Sequence, residues 1–317
     1  MRMDYTLQTR FSDPGRHRAR LDALPASVAE ICAVVRNLVV HYRASGIDFP
    51  PARLAEIDNR WVSRILDALP FDGPLDTPCP PEQRVVGCCR DFTLVTVAAL
   101  RARGIPARSR VGFADYFEPG FHVDHVVVEW HDGTRWIATD AQLDPAGGHP
   151  VDVADVPLGP GGLRTAAQAW RAFRRGDDDP YSYGVGRDVP IRGPLMIRKY
   201  VLNELAHRLG DELLLWDFWS SDAARIDEVL GDGRLDEVWP ELESRLAQSP
   251  PDAALIDEVA DLLLAADTGD AAAERRLTEL YRSDPRLHPG DVISCFSPRG
   301  VRYEVDLMPD RVNEPAG

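Results

Sequence analysis

The hydrophobic period of the chain switches from helical to extended at Gly104-Ile105-Pro106, and that switch limits what can be built around it. Upstream, Thr93 to Arg103 is rich in alanine and leucine helix formers and stops at Gly104 with Pro106 just beyond, the usual punctuation of a helix C-terminus. Downstream the period is two. Ala107 to Phe113, Val123 to His131 and Arg135 to Asp140 read as strands, the last two separated by Asp132-Gly133, a favoured two-residue hairpin turn. A helix followed by an antiparallel sheet predicts an α+β core, with Cys88 and Cys89 at the start of the helix.

The flanks read differently. Residues 1 to 22 predict an arm or an edge strand. Val28, Ile31, Cys32, Val35 and Leu38 recur at helical spacing, and a second helix is expected from Ala52 to Leu69. Val151 to Pro194 is rich in Gly, Pro and Asp and predicts a long connection with one helix near Ala166 to Arg174. Leu195 to Trp219 predicts an apolar helix, followed by helices near 224–230, 236–246, 252–266 and 271–282 and a hairpin turn around Ser297 to Gly300. The expected organisation is a core with N-terminal helices over residues 1–150, a loop-rich connection over 151–194, and a mainly helical C-terminal subdomain over 195–317.

Composition narrows the partners. The 317 residues are 44% hydrophobic and 27% charged, the profile of an ordinary globular protein. With 36 basic against 51 acidic residues the net charge is −15, which repels phosphate backbones and anionic lipid surfaces, so neither nucleic acid nor membrane is an expected partner. No apolar run approaches the roughly 20 residues of a membrane span, and the N-terminal MRMDYTLQTRF has no hydrophobic stretch of a signal peptide, so a cytoplasmic location is expected. Cys32, Cys79, Cys88, Cys89 and Cys295 form no C-x-x-C spacing and read as reduced thiols. Lys199 is the only lysine, which codon bias toward arginine is enough to explain.

A thiol at a helix start faces the positive end of the macrodipole and unpaired backbone N–H groups, both of which favour the thiolate. The same N–H groups can receive the oxyanion of a tetrahedral intermediate. If Asp132 and Gly133 are the two turn residues, Glu129 faces Trp136, Val127 faces Ala138 and His125 faces Asp140. Directly opposed side chains have Cβ atoms about 4.5–5.5 Å apart, close enough for a carboxylate to fix the imidazole tautomer and leave the other ring nitrogen for the thiol proton. Val126, Val128, Trp130, Ile137 and Thr139 then point away from the site. His122 and His131 are rival bases, but His122 falls on the opposite face and His131 sits beside the turn. Asp124 and Asp144 are rival carboxylates that do not oppose His125. Spacing alone does not separate Cys88 from Cys89. No ligand pair at zinc spacing accompanies the cysteines.

Four linked segments now carry a resemblance: Arg84-Val85-Val86-Gly87-Cys88-Cys89-Arg90-Asp91-Phe92, Leu100 through Arg108, Asp124-His125-Val126-Val127-Val128-Glu129, and Trp136-Ile137-Ala138-Thr139-Asp140. In this order they resemble the transglutaminase-like superfamily, a branch of the papain-like cysteine enzymes, over roughly residues 55 to 145. The resemblance implies a papain-like core within residues 1–150, in which the helix carrying the cysteine packs on an antiparallel sheet carrying the histidine and aspartate. It places the nucleophile on Cys89, the base on His125 and the orienting carboxylate on Asp140. Gln83, six residues before Cys89, sits where papain-like proteases keep an oxyanion glutamine, although transglutaminase-like enzymes often use another side chain. Asp140-Ala141-Gln142 departs from the Asp-Pro-Thr of many relatives, which leaves the shape of the substrate cleft open.

The implied function is cysteine-dependent acyl transfer on an amide or ester through a thioester acyl-enzyme. Water as acceptor makes an amidase or peptidase, and an amine makes an amide-forming transferase. The expected partner is a small-molecule or peptide acyl donor, with an amine as the second substrate in the transferase case. No metal or organic cofactor is required, and no D-x-D-x-D-G loop suggests calcium. A non-catalytic binding or assembly protein that keeps the fold is the alternative. The oligomeric state is left open. Residues 195–219 carry too many large apolar side chains for a solvated helix. Either they pack against the helices that follow and buttress the core, or they join the 151–194 connection in roofing the cleft between Cys89 and His125.

Overall fold

A computed structural model describes residues 3–231, 233–246 and 252–308; residues 309–317 of the expected C-terminal segment lie outside them. In chain order the elements are α1 (Arg18–Asp22), α2 (Val28–Leu38), β1 (Val39–His41), α3 (Pro51–Leu54), α4 (Val62–Asp67), β2 (Val85–Gly87), α5 (Cys89–Ala102), β3 (Ala107–Glu118), β4 (Phe121–His131), β5 (Trp136–Thr139), β6 (Leu163–Thr165), α6 (Ala166–Arg175), β7 (Tyr183–Gly184), α7 (Pro194–Arg208), β8 (Asp217–Phe218), α8 (Ser220–Leu230), α9 (Leu235–Leu246), α10 (Ala253–Asp267), α11 (Ala271–Ser283), β9 (Val292–Ser297) and β10 (Val301–Asp306). The architecture is α+β, as the change of period predicts.

The principal sheet runs β5-β4-β3-β6 with all neighbours antiparallel, and β7 adds a short parallel pairing to β4. Along β4 the residues divide as a period of two requires. Val126 and Val128 join the main core with Leu94, Val97 and Ala98 of α5, while Val127 joins a second cluster with Ala114, Tyr116, Ala138, Val156 and Leu163. The Thr93 hydroxyl locks α5 to the sheet by donating to the Val126 carbonyl at 2.9 Å. In front of α5 a parallel pair, β1 with β2, aligns His41 with Gly87. The hairpin β9–β10 pairs with β8 in a third small sheet.

Four local expectations are corrected. The hairpin pairs Glu129 with Ala138 and His131 with Trp136, so the connection is the four residues Asp132 to Arg135, stabilised by the Asp132 carboxylate accepting the amides of Thr134 at 2.7 Å and Arg135 at 2.8 Å. His125 and Asp140 are therefore diagonal rather than directly opposed. Of the arm or edge strand expected at the start, the strand does not form: residues 3–22 run through turns and α1, anchored by buried Tyr5 and Phe11. The helix expected over 52–69 breaks after Asp58, where Asn59 is extended and Arg60 turns inward to Asp217. Finally, α7 ends at Arg208. Gly210 takes φ +94°, and the next residues run extended because Asp211 accepts from Arg10 and Tyr281 while Glu212 accepts from Arg101.

The Arg60 guanidinium grips Asp217 through two bonds of 3.0 and 2.6 Å, with both side chains buried. Breaking a buried pair leaves one charge uncompensated, so Asp217→Asn is expected to lower unfolding stability by about 3–5 kcal/mol. Urea titration at unchanged m-value measures it, and a loss under about 1 kcal/mol would contradict this role for the pair.

Candidate active site

Cys89 is the first residue of α5, and Cys88 is its N-cap. The turn into the helix is tight: the Cys88 amide donates to Asp91 Oδ2 at 2.8 Å, and a Cβ at Gly87 would lie 2.7 Å from that same oxygen. Glycine is needed there for close approach rather than for flexibility. The first amides of a helix have no partner within it, so the Cys89 N–H is free to act beside its own sulfur.

His125 on β4 and Asp140, just past β5, come together despite the shifted register. His125 Nε2 lies 2.8 Å from Asp140 Oδ2, which leaves Nδ1 for Cys89. Asp140 is held by further donors: the Tyr116 hydroxyl at 2.9 Å on Oδ2 and the Gln142 amide at 3.0 Å on Oδ1. A bulge in β3 between Ala114 and Glu118 delivers Tyr116, and it also sets Phe117 edge-on to the His125 ring at 4.9 Å. Bulges re-aim side chains in this way.

The charges follow from these contacts. A hydrogen bond from the Cys88 thiol pulls the Cys89 thiol well below its ordinary range, and the hydrogen bond and charge of His125 add to it, outweighing burial. The same inter-thiol bond, together with burial, holds Cys88 well above that range. Burial alone would push His125 down, but the Asp140 carboxylate and Cys89 overcome it and raise the imidazole to about 10. Asp140 is likewise lowered because the charge of His125 outweighs its burial. These directions favour a thiolate–imidazolium pair with a carboxylate behind it. By contrast, burial pushes the thiols of Cys32 and Cys295 up, to about 11 and about 12.

Cys88, Cys89 and His125 line a cavity of about 700 Å³, within the usual range for small-molecule sites. Its far wall comes from later in the chain: Val185 and Ile191 of the connection, Met196, Lys199 and Tyr200 of α7, and Trp216, Trp239 and Phe296 beyond. Helix α7 thus both packs in the core and closes over Cys89. Gln83 is not brought to this cavity; it is exposed in a turn before β2. His122 bonds Asp115 at 2.5 Å instead.

One residue of the site escaped the sequence reading. His41, at the end of β1, lines the cavity. Its Nδ1 accepts the amides of Arg43 and Ala44, each at 3.1 Å, so Nε2 carries the ring proton, and burial pushes its pKa down to about 4. A parallel pairing between segments this far apart leaves no local signal. Asp124, the rival carboxylate, lines the cavity too; it accepts from the Tyr200 hydroxyl at 2.5 Å and is raised to about 7, by burial first and then by Cys89. Gln142 also lines the cavity, with Oε1 buried and unpartnered. Among the described residues, no group of three His, Cys, Asp or Glu is placed to hold a metal, and no helix is long and apolar enough to cross a membrane.

Comparison with known proteins adds the following. No curated protein matches the chain. A crystal structure of a candidate cysteine protease from Cytophaga hutchinsonii is 22% identical, over 52% of this chain and 47% of that one, with a TM-score of 0.29. The aligned part is thus about half of that protein. Residues 81–141, which include Cys89, His125 and Asp140, match the family model of the transglutaminase-like superfamily, the same superfamily that the motifs of the sequence resemble.

Proposed function

We propose that this chain is a cysteine-dependent acyl-transfer enzyme in which Cys89, His125 and Asp140 act together. The observation that supports it most is that His125 faces the helix-start thiol of Cys89 while its Nε2 lies 2.8 Å from Asp140 Oδ2. The Cys89 thiolate attacks the carbonyl carbon of an amide or ester. The His125 imidazolium then gives its proton to the leaving amine or alcohol as the C–N or C–O bond breaks, leaving a thioester on Cys89. In the second half, neutral His125 takes a proton from water or an amine as that group attacks the thioester, and the thiolate leaves. The oxyanion is received by the Cys89 backbone N–H and by His41 Nε2–H, which stays neutral and so serves as a fixed donor at ordinary pH. A cavity of about 700 Å³ walled by α7 and the connection suits a small or extended acyl donor rather than the face of a folded protein.

Alkylation tests the nucleophile. Limiting iodoacetamide with peptide mapping is expected to label Cys89 first and to leave Cys32 and Cys295 intact. Because the thiolate of Cys89 forms below the ordinary thiol range, its rate should stay level from neutral into mildly acidic pH, where an ordinary thiol loses about tenfold per pH unit. Preferential labelling of Cys88 would move the assignment by one residue.

Asp140→Asn should retain the fold but lower turnover on the order of 10²- to 10⁴-fold, since an amide there stabilises the wrong tautomer. Steady-state assay of the folded variant against model esters reads this, and near-normal turnover would refute the role.

Removing a single oxyanion donor costs about 10²–10³ in kcat. His41→Ala is expected to fall in that range with KM little changed, and His41→Gln to recover part of it. An unchanged kcat for His41→Ala would assign the oxyanion to backbone alone.

A further inference from the structure

Lys199, the only lysine of the chain, is the unmatched cation of a fully buried helix. Every residue of α7 is buried, and the other ionisable groups along it have partners suited to them. Arg198 pairs with Asp222 at 2.5 Å, Glu204 with Arg110 at 3.1 Å and Arg208 with Asp267 at 2.7 Å, while His207 meets the Ser109 hydroxyl at 2.8 Å. The hydrogen bond of Lys199 instead goes to a neutral amide, Asn203 Oδ1, at 2.5 Å. Its Nζ stands over the rings of Phe218 and Trp219, 4.7 and 5.1 Å from their centroids. Burial pushes the amine down to about 7, against the more distant pull of Asp217 and Asp222. Beside it, Asn203 Nδ2 is a buried donor without a partner. Lys199 lines the same cavity as Cys89 and His125.

We propose that Lys199, backed by the Asn203 amide, is an anion subsite that receives a carboxylate carried by the acyl substrate. The inference rests on the acyl-transfer reading and names the substrate class of that site: an amide or ester with an apolar body and its own carboxylate. An ammonium has three protons to donate, and a carboxylate is the partner that restores its full charge through a short, charge-assisted bond. Elsewhere in the cavity a carboxylate meets the Cys89 thiolate and, when ionised, Asp124, which repel it; the His125 cation is already committed to Cys89 and Asp140, Arg234 to Asp236, and Arg43 is solvent-exposed. The walls between, Met196, Trp216 and Trp239, suit hydrocarbon. A single buried cation not already committed to an acid matches a single charge, which favours a carboxylate over a phosphate dianion.

The test separates binding from catalysis. Cys89→Ala protein is titrated calorimetrically with 4-phenylbutyrate and with its neutral match, 4-phenylbutyramide, alongside the same protein carrying Lys199→Met. The carboxylate is expected to bind at least tenfold more tightly than the amide, and the ratio to fall toward one when Lys199 is replaced. Lys199→Gln serves as a second replacement should the methionine variant fold poorly. No carboxylate binding at millimolar concentration, equal affinity for the pair, or a preference that survives both replacements would overturn the subsite. On active protein, mono-4-nitrophenyl glutarate against 4-nitrophenyl butyrate, and 4-acetoxybenzoate against its methyl ester, report whether the carboxylate lies on the acyl or the leaving side. A carboxylate preference in calorimetry with no turnover of any of these esters would count against acyl transfer while upholding the subsite.

Discussion

Helices α5 and α7 are buried along their length yet carry charged side chains, and the rest of the structure is arranged around matching those charges. An ion taken from water into a protein interior costs several kcal/mol unless partners replace its hydration. Arg101 of α5 meets Glu212 at 2.9 Å and the Ser12 hydroxyl at 2.9 Å. Arg90 binds the carbonyls of Asn59, Arg60 and Glu212. Across the sheet, Arg110 of β3 joins Glu204 of α7 to Asp267 at the end of α10. These partners lie far apart in sequence, so the pairing draws residues 58–60, 204–212 and 267 onto the helix and sheet that hold Cys89 and His125. The wall facing Cys89 is held by the same contacts that neutralise the core.

That explains which parts of the fold were legible in the sequence. Segments whose conformation is set by their own periodicity, such as Val28 to Leu38 and the strands after Gly104, could be read directly. Segments bent by a distant charge could not. Nothing local in Ala52 to Leu69 announces that Arg60 must reach Asp217, and nothing in Leu195 to Trp219 announces that Asp211 and Glu212 are required as acceptors beyond the end of a helix. The hairpin shows a gentler failure. The connection has four residues where two were expected, which slides the register by two, and a slip of two leaves every side chain on its own face. His125 and Asp140 still share a face as diagonal neighbours, within reach of one another. A slip of one would have sent the carboxylate to the other side of the sheet.

The site divides along the same line. Cys89, His125 and Asp140 belong to one continuous stretch, residues 89 to 140, in which helix start, strand and hairpin can each be inferred locally. Cys88 and Cys89 are neighbours that no spacing rule separates, yet the structure gives them opposite surroundings: Cys88 caps the helix near Asp91 while Cys89 meets His125, and their thiols shift in opposite directions. The proposed oxyanion donor shows the limit of local reading. Gln83 has the spacing that resembles the oxyanion glutamine of papain-like proteases, but Pro81 begins a turn that leaves it in solvent, whereas His41 arrives through a parallel strand pairing with Gly87 that only the folded chain makes.

His41 and His125 line one cavity and are both buried, so burial alone would give two neutral imidazoles. They separate because their partners differ. His125 faces the Asp140 carboxylate and the Cys89 thiol, two groups that become more stable when it is charged, and it rises to about 10. His41 has no carboxylate behind it and its Nδ1 accepts two backbone amides; burial pushes it down to about 4, with the charge of His125 adding to that against the pull of Cys89. The two imidazoles therefore hold different protonation states throughout the neutral range, which is the condition for assigning different roles to chemically identical side chains. In the proposed reaction a charged ring gives up a proton and a neutral ring only donates a hydrogen bond. Exchanging those states would disable both steps, because a neutral His125 cannot protonate the leaving group. A charged His41 would in turn compete with His125 for the thiolate.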